Sequence, residues 1–296
     1  MAIPESQLEI WAHQGSITQS SNTYTTIKRA LEASDTKYAD KTYEVFLQGS
    51  YGNDTNIYAE SDVDVVIRLD SVYYYDITAL TAGEQARFNA ALIPGTYSYA
   101  TYKADVIAAL LKSFGTVDVK PDKKAVKIKS SGSRRNADVV VAAEFRRYFS
   151  GLLGPQYEPG ICFFNSSGDR IANYPKQHSA NCTAKHQATH GWFKPMVRIL
   201  KNMRSRLVDD GSIEQGSAPS YFLEGLLYNV PNDKFGGSYN DTFVAAVNWI
   251  LQAERNNLEC ANKQHYLVRD FDATCWPYGN CDRFLNALTQ LWNEWS

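Results

Sequence analysis

Two aspartates separated by one residue stand at the start of a strongly apolar segment, residues 63–69. In a β-strand successive side chains point to opposite faces, so Asp62 and Asp64 lie on one face while Val65 and Ile67 enter the core. Two like charges on one face repel each other, and they interrupt a strand that is otherwise suited to burial. The segment therefore predicts a β-sheet that carries a charged site where this strand begins.

A third carboxylate occupies the same position relative to another apolar segment, because Asp138 directly precedes residues 139–141, which are all valine. If the two strands are neighbours, Asp62, Asp64 and Asp138 converge. Hard divalent cations prefer carboxylate oxygens, and such a site holds two Mg²⁺ about 4 Å apart, with Mn²⁺ as the alternative ion. This arrangement suits nucleotidyl transfer, in which Asp138 would bind the metal beside the attacking hydroxyl and accept its proton.

A glycine and a serine precede this strand, and eleven residues separate Ser50 from Asp62. Gly49 has no side chain, so a triphosphate can approach the backbone closely, and the Ser50 hydroxyl and nearby N–H groups can bond its oxygens. Alone, the pair would indicate only a turn, and the two aspartates only a polar surface strand. Their combination with Asp138 predicts a nucleotide site.

These residues resemble the signature of the DNA polymerase β-like nucleotidyltransferase superfamily, a Gly-Ser pair followed by a strand-borne Asp-x-Asp. Further segments resemble one branch, the cGAS/DncV-like nucleotidyltransferases of bacterial antiphage signalling (CBASS). They are AlaAspValValVal at 137–141, GluPheArgArgTyr at 144–148, AsnTyrProLys at 173–176, ArgIleLeuLysAsnMetArg at 198–204 and AlaProSerTyrPheLeuGlu at 218–224. The resemblance covers most of residues 40–230.

The resemblance implies an enzyme that joins nucleoside triphosphates, ATP and GTP first among them, into a cyclic di- or trinucleotide that acts on a separate effector. It implies metal ligands at Asp62, Asp64 and Asp138. It implies nucleotide contacts at Gly49, Ser50, Lys201, Ser220 and Tyr221, the last stacking on the donor base. No nucleic-acid template is expected, and a regulatory protein partner is compatible with the family.

The nucleotide contacts in the second half of the chain also have simpler explanations. Lys194, Arg198 and Lys201 form a basic stripe at helical spacing, which is more often a solvated helix face than a phosphate site. Ser220 follows a proline and would begin a helix whose free N–H groups attract phosphate, or it is an ordinary first-turn serine. Tyr221 is a base platform or a core residue.

Composition limits the binding partners and the cellular compartment that are expected for such an enzyme. A formal charge of −2 and a pI near 6.2 argue against a protein that coats nucleic acid. Five scattered cysteines, no leader-like N-terminus and no apolar stretch of membrane-spanning length favour a cytoplasmic protein with free thiols. A basic cluster at 120–135 either lines the nucleotide cleft and steers anionic substrates or is a solvated hairpin, and the hairpin is slightly preferred. A zinc site is the less favoured interpretation of a polar series spaced every four residues: His178, Cys182, His186 and His190.

The patterning predicts a mixed α/β fold. Strands are expected at 43–48, 63–69, 116–119, 124–129 and 136–142. Helices are expected at 5–34 (broken near Gly15), 82–93, 101–113, 183–208, 218–229, 239–255 and 281–295. A loop predicted at 150–160 divides the chain into a nucleotidyltransferase core with N-terminal helices, residues 1–156, and a helical domain, residues 157–296. The active site is expected in the cleft between them.

Two other functions are compatible with the sequence. One is a linear oligonucleotide synthase or an adenylyltransferase that modifies another acceptor. The other is a catalytically inactive module that binds a nucleotide or a partner protein.

Overall fold

The apolar segment behind the two aspartates begins a strand of 17 residues in a mixed, seven-stranded sheet. The structure is a computed structural model, and it describes residues 2–15, 17–58 and 62–295. The strands are β1 (Tyr43–Leu47), β2 (Val63–Ala79), β3 (Val119–Pro121), β4 (Val126–Ile128), β5 (Ala137–Gly151), β6 (Gly154–Phe164) and β7 (Arg170–Asn173). Their order is β1-β2-β5-β4-β3, with β6 pairing β5 farther along and β7 pairing β6. Only β2 and β5 pair in parallel among these strands.

Ten α-helices complete the described part of the chain. They are α1 (Glu5–Ala12), α2 (Thr18–Leu31), α3 (Gly49–Gly52), α4 (Ala82–Ala91), α5 (Tyr99–Asp118), α6 (Pro175–Ala188), α7 (Phe193–Asp209), α8 (Ser220–Asn229), α9 (Tyr239–Gln252) and α10 (Tyr278–Asn293). The predicted mixed α/β class with a helical C-terminal region is confirmed. No helix among the described residues has both the length and the apolar character needed to cross a membrane.

The chain separates into two compact units. The sheet unit comprises Thr18–Gln48 and Ser61–Pro175, and the helical unit comprises Met1–Ile17, Gly49–Glu60 and Lys176–Ser296. The helical unit has a large apolar core in which α7 is central. In the sheet unit, β2 and β5 carry the most deeply buried residues.

The loop predicted at 150–160 is wrong, because this stretch is the hairpin between β5 and β6. Pro155 and Pro159 suggested a loop, but β7 pairs with β6 only from Ile161 onward, so both prolines lie where the outer edge of β6 has no partner strand. Proline is tolerated at such an edge, since the missing N–H is not needed. The domain division at residues 156 and 157 was inferred from that loop, and the two units divide the chain elsewhere.

Glycines explain two further differences. The strand predicted at 116–119 is wrong for residues 116–118, because α5 continues to Asp118 across a kink at Gly115, whose φ is 80°. The single helix predicted at 183–208 is two helices, α6 and α7. They are separated by a turn in which His190 and Gly191 have φ values of 49° and 91°. Left-handed backbone of this kind cannot continue an α-helix.

We expect the core of β2 to limit the stability of the sheet unit. Ile67 is fully buried, so Ile67→Ala should lower the free energy of unfolding by about 2–5 kcal/mol, since it removes apolar contacts and leaves a cavity. The matched control is Ile93→Ala, because Ile93 is 88% exposed and the same change there should cost less than about 0.5 kcal/mol. Urea unfolding of both variants measures the difference, and equal losses would contradict this account of the core.

Candidate active site

The parallel pairing of β2 with β5 places Asp64 directly opposite Asp138. The N–H of Val63 donates to the carbonyl of Asn136 at 3.0 Å, which fixes the register at the point where the strands begin. Residues paired in this way point to the same face, so the two carboxylates are neighbours, and both are half-buried. The predicted neighbourhood of these two strands is therefore confirmed.

Asp62 lies just before β2 and is exposed, while Ser61 lies outside the described residues. Asp62 is nevertheless near the other two carboxylates, because its charge acts on Asp138. Burial raises the pKa of Asp138, the negative charge of Asp62 raises it further, and the Lys127 ammonium opposes both. The carboxylate that is expected to take a proton is thus one whose charged form is disfavoured in the metal-free protein.

Lys127, a member of the basic cluster at 120–135, is a neighbour of this site. It is the direct antiparallel partner of Asp138, on β4. Its Nζ lies 3.0 Å from Asp122, and its pKa is raised mainly by that contact and then by Asp138 and Asp62. Treating the basic cluster as a solvated hairpin therefore missed one lysine. The alternation of lysine with Val126 and Ile128 was the available signal.

The acidic face fits a divalent cation by its chemistry. It presents carboxylate oxygens from Asp62, Asp64 and Asp138, which are hard ligands, and its nearest cation in register, Lys127, is 57% exposed at its side chain and is already paired with Asp122. A bound cation would offset the repulsion that Asp62 exerts on Asp138. The residues present therefore fit the metal that nucleotidyl transfer requires.

In the helical unit, Gly49 begins the four-residue helix α3 with a φ of 65°, a conformation that favours glycine. Its carbonyl accepts a hydrogen bond from the N–H of Asn53 at 3.0 Å, and the carbonyl of Ser50 accepts from the N–H of Thr55 at 2.9 Å. Gly49 is exposed and Ser50 half-buried. The predicted Gly-Ser turn is thus a short helical turn whose shape depends on the residues that follow it.

Those following residues are held by the basic stripe of α7. Lys194 donates to the Asp54 carboxylate at 2.9 Å, Arg198 to the Asp54 carbonyl at 2.7 Å and Lys201 to the Thr55 carbonyl at 2.8 Å. Lys194 is 7% exposed and Lys201 is fully buried, so the interpretation of this stripe as a solvated helix face is wrong. The phosphate contact predicted for Lys201 stays a prediction, beside this observed bond to Thr55.

A buried carboxylate on α8 holds the same segment from another side. Glu224 is 3% exposed and accepts hydrogen bonds from Asn53 at 3.0 Å and from Thr55 at 2.5 Å. It also bonds His178 on α6. Burial acts to raise the pKa of Glu224, but the bond and charge of His178, the charge of Lys201 and the Thr55 hydroxyl together hold it below its usual value. Glu224 is the last residue of the family-like segment 218–224, but the sequence pattern alone indicated no role for it.

The other two predicted nucleotide contacts lie at the beginning of α8. Ser220 is its first residue, directly after Pro219, as the proline pattern predicted. The ring of Tyr221 stacks on His178 with centroids 4.8 Å apart, and its hydroxyl accepts from Asn262 at 2.8 Å. A nucleotide base would therefore stack on the face of Tyr221 opposite His178, and that role stays a prediction.

The four residues of the predicted polar series do not form one common metal site, because only Cys182 lies close to His178. Among the described residues, only His178, Cys182 and Glu224 bring three ligand atoms within 4.8 Å of one another, so the three aspartates do not close to that spacing. The Nδ1 of His186 accepts from the N–H of Lys194 instead, and His190 is exposed.

The comparisons with known proteins cover the whole chain. Residues 8–125 match the Second Messenger Oligonucleotide or Dinucleotide Synthetase domain, and residues 180–293 match the cGAS/DncV-like nucleotidyltransferase C-terminal helical domain. The chain is 40% identical over 297 residues to the cyclic UMP-AMP synthase of Rhodothermus marinus, covering 100% of this chain and 99% of the synthase. It is 33% identical over 303 residues to the cyclic nucleotide synthase CdnE01 of Staphylococcus haemolyticus, with complete coverage of both.

Two solved structures are similar over nearly their full lengths. The Rhodothermus marinus CdnE c-UMP-AMP synthase with Apcpp and Upnpp has a TM-score of 0.88 at 39% identity, covering 99% of this chain and 98% of that chain. The Elizabethkingia meningoseptica CdnE cyclic dinucleotide synthase with GTP and Apcpp has a TM-score of 0.78 at 32% identity, covering 98% of each chain.

The charge on Asp138 should destabilise the metal-free protein. Because its folded pKa is raised above the ordinary 3.8, its contribution to stability is present below pH 3.8 and is lost as the pH rises through the folded pKa. Asp138→Asn removes the charge, so in EDTA at pH 7.5 the variant should melt on the order of a degree or two higher than the wild type. This gain should shrink as the pH falls toward 4.

Thermal melts at both pH values measure the effect. The control is Asp40→Asn, because Lys41 lowers the pKa of exposed Asp40 and that variant should gain nothing. An Asp138→Asn variant that melts below the wild type at pH 7.5 would contradict the assignment.

Proposed function

We propose that this chain, which belongs to the cGAS/DncV-like nucleotidyltransferases, joins two ribonucleoside triphosphates into a cyclic dinucleotide. It is a cyclic oligonucleotide synthase by its full-length similarity to curated synthases. The restriction to dinucleotides is our proposal. It rests on five relatives whose names specify two nucleotides: a cyclic UMP-AMP synthase, a cyclic dipurine synthase, two cyclic dipyrimidine synthases and a cyclic GMP-AMP synthase.

The observation that carries the chemistry is the register of two parallel strands, in which Asp64 is paired with Asp138, while the charge of nearby Asp62 acts on Asp138. These three carboxylates would hold two Mg²⁺, or Mn²⁺ in their place. The bound metal supplies charge neutralisation at the phosphates and a lower pKa for the attacking hydroxyl. Presence of all three acids argues against an inactive binding module.

In the proposed reaction, a ribose hydroxyl oxygen of one nucleotide forms a bond to the α-phosphorus of the other. The bond from that phosphorus to the β-phosphate bridging oxygen breaks, and pyrophosphate leaves. The hydroxyl proton passes to the Asp138 carboxylate. A second transfer of the same kind closes the ring.

We assign nucleotide binding to the remaining predicted residues. Gly49 and Ser50 would bind donor phosphates, with Lys201 and Ser220 as further phosphate contacts and Tyr221 as the base platform. Support comes from the positive φ and exposure of Gly49, from the position of Ser220 at the first turn of α8, and from the partly buried ring of Tyr221.

The setting is also a proposal. The product would serve as a second messenger in bacterial antiphage defence and act on a separate effector, in the cytoplasm where nucleoside triphosphates are available. ATP and GTP are the first substrates to test. The relatives named above differ in their bases at 30–40% identity, so UTP and CTP belong in the same assay. A regulatory protein partner stays a prediction.

Product analysis tests the reaction. Purified protein with Mg²⁺ and all four labelled ribonucleoside triphosphates should release pyrophosphate and form a phosphatase-resistant species, whose bases mass spectrometry identifies. Asp62→Ala/Asp64→Ala should reduce its formation by roughly a thousandfold or more, because two of the three proposed metal ligands are lost. The control Asp35→Ala/Asp40→Ala changes two exposed aspartates and should leave the rate unchanged.

Phosphatase-sensitive oligomers would identify a linear synthase instead. Transfer of label to a protein or RNA acceptor would identify an adenylyltransferase. Nucleotide binding without any product, in the presence of candidate activators, would favour the inactive module.

The role of Ser50 has its own test. Ser50→Ala should raise the KM for nucleoside triphosphates roughly tenfold, since one hydrogen bond to a charged phosphate is lost. Ser21→Ala, an exposed serine on α2, is the control and should leave the KM unchanged. Steady-state pyrophosphate release measures the KM of both variants. An unchanged KM for Ser50→Ala would show that the serine hydroxyl does not bind the nucleotide.

A further inference from the structure

The residues directly after Gly49 and Ser50 link the proposed phosphate-binding turn to a buried carboxylate. Asn53 and Thr55 each use two groups for this link. Their backbone N–H groups donate to the carbonyls of Gly49 and Ser50, and their side chains donate to the carboxylate of Glu224. The same two residues therefore connect the shape of the turn with α8.

Glu224 is suited to this role because its environment is complete. A carboxylate is an acceptor with two oxygens, so it can bond the amide of Asn53, the hydroxyl of Thr55 and the ring of His178 together. The buried ammonium of Lys201 compensates its charge and donates to the Thr55 carbonyl. A buried charge is tolerated only with such pairing.

The cluster of His178, Cys182 and Glu224 is better explained by these hydrogen bonds than by a metal. Glu224 already accepts three hydrogen bonds, and the positive charge of Lys201 acts on it. Burial and the charge of Glu224 raise the pKa of Cys182 against the opposing charge of Lys194, so the thiol form is favoured. A neutral thiol beside a carboxylate that is already hydrogen-bonded is a poor ligand set for a cation.

We propose that Glu224 is a positioning residue that holds Gly49 and Ser50, through Asn53 and Thr55, in the conformation that binds donor phosphates. It touches no nucleotide itself. The proposal rests on the proposed function for its effect on catalysis, but its effect on the backbone of residues 49–56 is independent of that function.

The experiment compares Glu224→Gln with the wild type by amide hydrogen exchange and by steady-state kinetics. Glutamine keeps the volume but loses the negative charge and replaces one acceptor oxygen with an NH₂ donor, so it cannot accept from Asn53, Thr55 and His178 as the carboxylate does. Exchange at the amides of Asn53 and Thr55 should increase by roughly tenfold or more, and the KM for nucleoside triphosphates should rise by about tenfold, with a smaller change in kcat.

Thr242→Val is the matched control for general destabilisation. Thr242 is fully buried in the same unit and bonds the N–H and carbonyl of Gly236, far along the chain from residues 49–56. This variant should lower the melting temperature without changing the KM or the exchange at Asn53 and Thr55. If Glu224→Gln does not fold, Thr55→Val removes a single hydroxyl bond to Glu224 and should produce the same changes at smaller size.

The two measurements separate this proposal from the proposed function. If the wild type makes no cyclic product but Glu224→Gln still loosens residues 49–56, the function fails and the positioning role stands. If the wild type makes the product, and the folded variants leave both the KM and the exchange of these amides at wild-type values, the positioning role is overturned. A KM change equal to that of Thr242→Val would overturn it as well.

Discussion

The parallel register between β2 and β5 is the constraint on which the acidic site depends. A slip of one residue would place Asp138 opposite Val63 or Val65 and turn its side chain to the face opposite that of Asp64. Buried apolar residues on both strands stabilise the pairing that brings two like charges together. The repulsion between the two carboxylates is tolerated because burial of the surrounding apolar side chains stabilises the sheet by more than the repulsion costs. Both carboxylates are half-exposed, so a cation can reach them.

Much of this site was predictable from the sequence because its elements are strongly patterned. Asp62, Asp64 and Asp138 each stand at the beginning of an apolar run, and such runs are recognised from one sequence. The neighbour across the sheet is not recognised in this way. Lys127 is a neighbour of Asp138 because β4 pairs with β5 in a register that opposes these two residues. The local sequence pattern of either strand does not specify that register.

The errors in the helical half have a common physical cause. Helical spacing correctly predicted that Lys194, Arg198 and Lys201 share a face of α7, but periodicity does not say what covers that face. A segment about 140 residues earlier in the chain covers it, and the bonds are made mainly to that segment's backbone, which carries no sequence signal. The extent of β2 and β5 was underestimated for a related reason, because their later residues are partly exposed aromatic and charged side chains.

The surroundings of Asp138 and Glu224 shift the pKa values of these two carboxylates in opposite directions, which fits a catalytic role for Asp138 and a positioning role for Glu224. Asp138 is partly desolvated beside another carboxylate, with only Lys127 in opposition, so its pKa is raised. Glu224 is more deeply buried, yet hydrogen bonds and the charge of Lys201 keep its pKa low. A carboxylate with a raised pKa can accept a proton or be stabilised by a cation, whereas one held ionised by buried partners mainly fixes their positions.

An apolar side chain could replace Glu224 at similar stability only if Asn53, Thr55 and His178 were replaced too, because each would otherwise lose a buried acceptor. The ionised form of Glu224 is therefore explained by the geometry of the segment that follows Gly49 and Ser50.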